Sequence, residues 1–157
     1  MAELFTTRNY GTIRVISGLR GAGKTTRCQA LIEHARGSGV RVAGLVSPGR
    51  YVANGIRNGI FALDLVSQET RLLANLIKGE LKGYPFGHWK FDSSVFEWGN
   101  QILENIAETD LLVIDELGYL EFNFNGGWKA SFDVLSKKNT GWQCLSSGTN
   151  ASMLLLN

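Results

Sequence analysis

The sequence predicts an α/β domain with a mostly parallel sheet, and three stretches carry that prediction. "TIRVIS" (Thr12 to Ser17) is short, β-branched and bounded by glycines, as a buried strand is, and it runs directly into a glycine-rich loop. "VRVAGLVS" (Val40 to Ser47) reads as a second strand after an intervening helix. Strand, helix, strand is the unit of a parallel sheet and closes by a right-handed crossover. "DLLVIDELG" (Asp110 to Gly118) is a continuous apolar run ending in two adjacent carboxylates, Asp115 and Glu116. A strand buried on both faces explains the run and brings its end to the carboxyl edge of the sheet, where ligands of open α/β folds bind.

The remaining elements follow in order. From Thr25, the apolar residues Cys28, Leu31, Ile32 and Ala35 keep helical spacing until Gly37 and Gly39 stop the helix. Between Pro48 and Gly87, "GIFALDLVS" and "RLLANL" read as short strands, with turn signals at Asn54-Gly55 and Asn58-Gly59, so a hairpin-like insertion is expected. "FDSSVFEWGNQILENIAE" opens with Asp92 and a Ser94-x-x-Glu97 capping pattern, and Val95, Trp98, Ile102, Leu103 and Ile106 share one helical face. "GGWKASFDVLSKK" predicts a helix with Trp128, Phe132 and Leu135 on one side. There is no internal repeat and no low-complexity linker.

Composition bounds the function. A chain of 157 residues, 44% hydrophobic and 19% charged, is expected to be one domain with a real core rather than a disordered segment. A net charge of +2 with scattered Lys and Arg gives no strong nucleic-acid signal, since that calls for a basic patch on one face. Cys28, Cys144, His34 and His88 form neither a metal-ligand spacing nor a disulfide framework, which fits free thiols in a reducing cytosol. No apolar run reaches the length of a membrane span, and "MAELFTTRNYGTIR" lacks the apolar centre of a signal peptide. A cytoplasmic protein without a membrane partner is expected.

The chemistry concentrates in two places. Gly18-x-x-x-x-Gly23-Lys24-Thr25 matches the phosphate-binding loop, and it follows a strand and opens a helix, which sets a phosphate at the positive helix N-terminus. Residues Gly18, Leu19, Arg20, Gly21, Ala22, Gly23, Lys24, Thr25 and Thr26 are therefore the expected nucleotide-binding set. Backbone N–H groups from Gly21 to Thr25 would surround the phosphates, Lys24 would neutralise the β- and γ-phosphates, Thr25 would ligate Mg²⁺, and Thr26 would support the loop or the α-phosphate. Asp115 would hold the same Mg²⁺ through water, and Glu116, pointing elsewhere, would act as general base on an attacking water. Arg20, Arg50 and Arg57 are candidates for stabilising charge on the transferring phosphoryl group, Arg57 first among them. "HWKF" (His88 to Phe91) interleaves aromatic and basic residues as a base-stacking platform does, although a packed strand is the simpler reading. The expected activity is Mg²⁺-dependent hydrolysis of ATP or GTP to diphosphate and phosphate. Two alternatives stay open: a nucleotide or small-molecule kinase, which needs an acceptor pocket and a lid, and a nucleotide-binding module without catalysis.

Through "GLRGAGKTT", "GLVSPGRYVANGIRNGIFALDL", "HWKFDSSVFEWGNQIL" and "LLVIDELGYLEF", from about Ile13 to Trp142, the chain resembles the small nucleoside-triphosphatase family that includes the thermophile nucleoside-triphosphatases and the human cancer-related NTPase. The resemblance implies the three-layer P-loop NTPase fold and slow hydrolysis of nucleoside triphosphates with Mg²⁺, and the chain length leads us to expect a single such domain over residues 1–157. It carries nucleotide binding onto Gly18 to Thr26 and the metal and base roles onto Asp115 and Glu116. The tail 143–157, "QCLSSGTNASMLLLN", departs from the family pattern of a valine-rich strand followed by an arginine. Cys144 to Asn150 can be encoded so that dropping one base reads Ala-Leu-Val-Val-Val-Arg, which has the missing strand's character. A frameshift near Gln143 and loss of the C-terminal strand are therefore expected.

Overall fold

The structure is a computed structural model and describes residues 12–19, 21–76, 78, 81, 83–137 and 142–147. Its elements are β1 (Thr12–Ser17), α1 (Lys24–Gly37), β2 (Val42–Val46), β3 (Gly49–Tyr51), β4 (Arg57–Asp64), β5 (Thr70–Leu76), β6 (Tyr84–Phe86), β7 (Trp89–Phe91), α2 (Ser93–Glu104), β8 (Leu111–Leu117), α3 (Tyr119–Phe124), α4 (Ala130–Lys137) and β9 (Trp142–Ser147). One sheet runs in the order β1-β9-β8-β2-β4-β5-β7-β6, with β3 paired to β4. β1, β9, β8 and β2 are parallel, whereas every pairing from β2·β4 outward is antiparallel. The predicted parallel half is present, and the insertion is an antiparallel extension of the same sheet, larger than a single hairpin.

Alternation along β8 builds the three layers. Leu111 and Val113 pack with Cys28, Ile32 and Ala35 of α1 on one face, while Leu112 and Ile114 pack with Val95, Phe96 and Leu103 of α2 and Val134 of α4 on the other. This is the two-residue period of a strand buried on both sides. At the amino ends of β2 and β8, the backbone N–H and guanidinium of Arg41 all donate to the carboxylate of Asp110, which fixes the register of the pair. Those hydrogen bonds hold the Asp110 carboxyl down at about 2.

Several local expectations are corrected. β1 is an end strand of the sheet rather than a buried one, with Ile13 41% and Val15 36% exposed. Asn54-Gly55 does form the β3–β4 turn, with the Gly55 N–H donating to the Val52 carbonyl and Gly55 at φ 75°. Asn58-Gly59, by contrast, lies inside β4: Arg50 pairs with Gly59 and Tyr51 with Arg57, so Asn58 is the extra residue of a bulge. The N-cap of α2 is Asp92, which accepts from the Ser94 N–H and hydroxyl, two residues before the Ser94-x-x-Glu97 box. Trp128 is buried just ahead of α4, and Phe132 faces outward because Ala130, Ser131 and Val134 take the inner positions. Finally, a strand does occupy 142–147, between β1 and β8, contrary to the expected loss. The slot is defined by unpaired backbone groups on its two neighbours, and any extended segment satisfies them whatever its side chains. The rest of the atypical tail, 148–157, lies outside the described residues.

Gly44 marks the tightest approach in the parallel half: at φ 121°, a Cβ there would fall 1.8 Å from the Val113 carbonyl oxygen. Gly44→Ala is expected to cost about 2–5 kcal/mol, from overpacking against β8 and backbone strain together, read as a lower midpoint in urea unfolding. An unchanged midpoint would contradict the β2–β8 packing.

Candidate active site

The loop between β1 and α1 is shaped by two left-handed glycines, Gly21 at φ 80° and Gly23 at φ 81°. Side chains rarely tolerate that conformation, so glycine is required where the chain turns into the helix. Gly23 is the N-cap of α1; no side chain caps the helix, and no acidic residue sits in its first turn. The positive end of the helix dipole is therefore left to an outside anion. Lys24 folds across the loop, its Nζ donating to the carbonyls of Gly18 at 2.9 Å and Leu19 at 3.1 Å. The Ala22 N–H donates to the Leu19 carbonyl and closes the turn.

Facing this loop is the tip of β8. Between Ile114 and Leu117, β8 gains one residue relative to β9, a bulge at Asp115-Glu116 with Glu116 in the left-handed region at φ 65°. A bulge re-aims side chains, and here it sends the two carboxylates in different directions. Asp115 stays in line with Leu111 and Val113 and is fully buried. Its Oδ2 accepts from the Ser47 backbone N–H at 3.3 Å, while its Oδ1 and the neighbouring Ser47 hydroxyl have no hydrogen-bond partner. Glu116 instead turns toward Arg57, whose guanidinium lies 3.6 Å from its Oε1. Burial, and next the nearby Asp115, push the Glu116 carboxyl above the usual carboxylate range, against the opposing pull of Arg57 and Lys24.

A cavity of about 640 Å³ joins the two halves. Gly21, Gly23, Lys24, Thr25, Thr26 and Gln29 line one end, Glu116 and Arg57 meet in its middle, and Trp89, Phe91, Phe86 and Tyr119 contribute to the other end. Of the residues predicted from sequence, Gly21, Gly23, Lys24, Thr25, Thr26 and Glu116 thus share one space, while Ala22 closes the turn and does not line it. Gly18 and Leu19 serve behind it as acceptors for Lys24, and Asp115 lies beneath its surface. Arg20 lies outside the described residues. Arg57 is on the cavity wall, and Arg50, on the adjoining strand β3, is not among the lining residues. The Arg57 guanidinium also sits 5.6 Å from the centre of the Trp89 ring. Room for it comes from Gly49, where a Cβ would crowd the Tyr51 ring at 2.8 Å and Arg57 Nε at 3.0 Å.

Three participants were not anticipated: Ser47, Gln29 and Glu121. Glu121 is buried on the cavity wall and accepts from the Gly118 N–H at 2.7 Å and the Trp128 N–H at 2.8 Å, pinning α3 behind the β8 tip. Burial raises its carboxyl above the ordinary range, partly offset by those two donors. The spacing Gly118-x-x-Glu121 is the one sequence signal that could have marked it, since an acid three residues into a helix reaches back to the cap.

Comparison with known proteins bears on the same region. The family described as NTPase matches residues 14–141. Nucleoside-triphosphatase THEP1 of Korarchaeum cryptofilum is 30% identical over 110 residues, covering 68% of this chain and 54% of that protein. The chain thus spans about half the length of that relative. The THEP1 of Methanothermobacter thermautotrophicus is 29% identical over 124 residues, covering 78% of this chain and 69% of the relative. Among solved structures, a human cancer-related nucleoside triphosphatase superposes with a TM-score of 0.64 at 24% identity, over 92% of this chain and 79% of that one. THEP1 from the hyperthermophile Aquifex aeolicus superposes with a TM-score of 0.59 at 18% identity, over 87% and 77%. These two likenesses establish the fold. With its family match running from β1 through α4, this chain belongs to the NTPase family.

Proposed function

We propose that this chain binds a nucleoside triphosphate, ATP or GTP, in the Gly18–Thr26 loop and hydrolyses its terminal anhydride to diphosphate and phosphate. The observation that carries the reading is the single cavity shared by Lys24, Thr25 and Glu116. Water fills the acceptor position, with Glu116 taking its proton as it attacks the γ-phosphorus. Lys24 leaves its loop carbonyls for the β- and γ-phosphates, and the amides at the head of α1 hold the same charge. Arg57, 3.6 Å from Glu116, would add its positive charge to the same end of the triphosphate. A cytoplasmic location belongs to the same reading; among the described residues no helix is long and apolar enough to cross a membrane.

The residues present also fit a divalent cation. Asp115 Oδ1 and the Ser47 hydroxyl are buried polar atoms with no hydrogen-bond partner, which suits an ordered water on a metal's outer shell. Among the described residues no group of three or more His, Cys, Asp or Glu could hold a metal alone, so Mg²⁺ would be held by Thr25 and Asp115 together with the phosphates. When bound, it would neutralise charge building on the β–γ oxygens.

Phosphate release from a panel of nucleoside triphosphates tests the assignment. Glu116→Gln is expected to lower kcat by about 10²–10⁴-fold while nucleotide affinity stays near the parent's. An unchanged kcat would contradict Glu116 as the base. The pH profile gives a second test. The base must be ionised to work, so the rate climbs with pH through a midpoint above the ordinary carboxylate range. Arg57→Ala removes a cation that favours the ionised form and is expected to move this limb to higher pH. A shift to lower pH would contradict the pairing.

A further inference from the structure

The cavity of about 640 Å³ is lined by polar loop residues and by a group of aromatic side chains, so its two ends differ in chemistry. Reading across the sheet from the loop, Glu116 stands on β8, Arg57 on β4, and the aromatic wall on β7 and β6. Beyond Arg57 the lining is Leu73, Phe91, Phe96 and Trp89, with Tyr51 and Tyr119 at the rim. Those two tyrosines are 63% and 60% exposed although they face a cavity, an arrangement that core packing does not explain. Tyr119 also packs with Phe86 and Phe124, ring centres 6.0 Å and 5.4 Å away, so the rim is a preformed aromatic surface. Arg57 Nε, at the boundary between the two ends, is buried and has no hydrogen-bond partner. Aromatic walls with a few convergent polar groups, in a volume of this size, describe a small-molecule site.

Which molecule follows from orientation. In the proposed function Glu116 lies at the γ-phosphate, so whatever occupies the aromatic end lies past the γ-phosphate, on the side from which the nucleophile comes. Arg57 touches both the Glu116 carboxylate and the Trp89 ring, which places the aromatic wall and the base within the span of a nucleoside. We propose that the aromatic end of the cavity is an acceptor site for a nucleoside-class molecule, a planar heteroaromatic ring carrying a hydroxylated sugar. This deepens the reading of the loop as a triphosphate site and rests on it. In the transfer step, the acceptor's hydroxyl oxygen forms a bond to the γ-phosphorus. The bond from that phosphorus to the β–γ bridging oxygen breaks, the electron pair leaves with the nucleoside diphosphate, and the hydroxyl proton passes to Glu116. Hydrolysis is then the reaction with water in the acceptor's place.

The test uses the full chain, a non-hydrolysable ATP analogue with Mg²⁺, and adenosine, guanosine, cytidine and uridine as probes. At least one nucleoside is expected to bind saturably to the analogue-loaded chain by calorimetry. The double variant Tyr51→Ala/Tyr119→Ala, at two exposed positions, is expected to weaken that binding at least tenfold and leave the analogue's affinity within twofold. With γ-labelled ATP, label should appear in a nucleoside monophosphate. If no nucleoside binds the loaded chain, or if label never enters the nucleoside that does bind, the acceptor site is overturned. Equal weakening of analogue and nucleoside also overturns it, since the wall would then be holding the triphosphate's own base. Failure of the analogue itself to bind would sink the proposed function instead. The nucleoside titration on the unloaded chain then still decides the aromatic site: binding lost in the double variant supports a nucleoside there, and no binding refutes it.

Discussion

Everything at this site depends on one extra residue near the end of β8. A strand buried on both faces alternates strictly, so without the bulge at Asp115-Glu116 the next side chain after Asp115 would enter the opposite core among Leu112 and Ile114. The left-handed backbone at Glu116 costs on the order of 1–2 kcal/mol for a residue with a side chain. What that strain achieves is separation of the two carboxylates: Asp115 is kept dry beside Ser47, and Glu116 is delivered to the cavity that Lys24 and Arg57 line. The hydrogen-bonded Glu121 behind the tip holds the following segment so that the bulge cannot relax into a regular strand.

A second bulge answers the first. Asn58 is the extra residue of β4, and it aims Arg57 across β2 to meet Glu116. The pair is long for a salt bridge, at 3.6 Å, with side chains 26% and 37% exposed. Such a pair contributes little to stability. Its consequence is electrostatic: a carboxylate raised by burial is partly restored toward its ionised form by an arginine and the loop lysine. The cavity therefore holds a carboxylate whose proton affinity is raised by burial and by Asp115 and moderated by two neighbouring cations, Arg57 and Lys24.

Legibility in the sequence followed locality. The glycine loop, α1 and the apolar run of β8 were readable because each is fixed by neighbouring residues: helical spacing, left-handed glycines, and unbroken apolar character. The edge position of β1 was not, because "TIRVIS" looks the same at an edge as in a core and only the strand order separates them. Asn58-Gly59 was misread as a turn because an Asn-Gly pair marks departures from regular extended backbone, and a bulge is one of them. Strand β9 was missed for the opposite reason: its place is dictated by backbone groups of β1 and β8, far away in sequence, and its own composition says little. Glu121 and the full aromatic wall depend on α3 and the insertion folding toward the same edge, which the Gly118-x-x-Glu121 spacing and "HWKF" mark only in part.

The central claim is that the loop at the head of α1 and the acidic tip of β8 hold the same polyphosphate. Calorimetric titration of a non-hydrolysable ATP analogue with Mg²⁺ into the parent chain and into Lys24→Ala tests it most directly. Saturable one-to-one binding by the parent is expected, with a loss of at least tenfold in affinity when the lysine is removed. Equal affinity in the two proteins would contradict it.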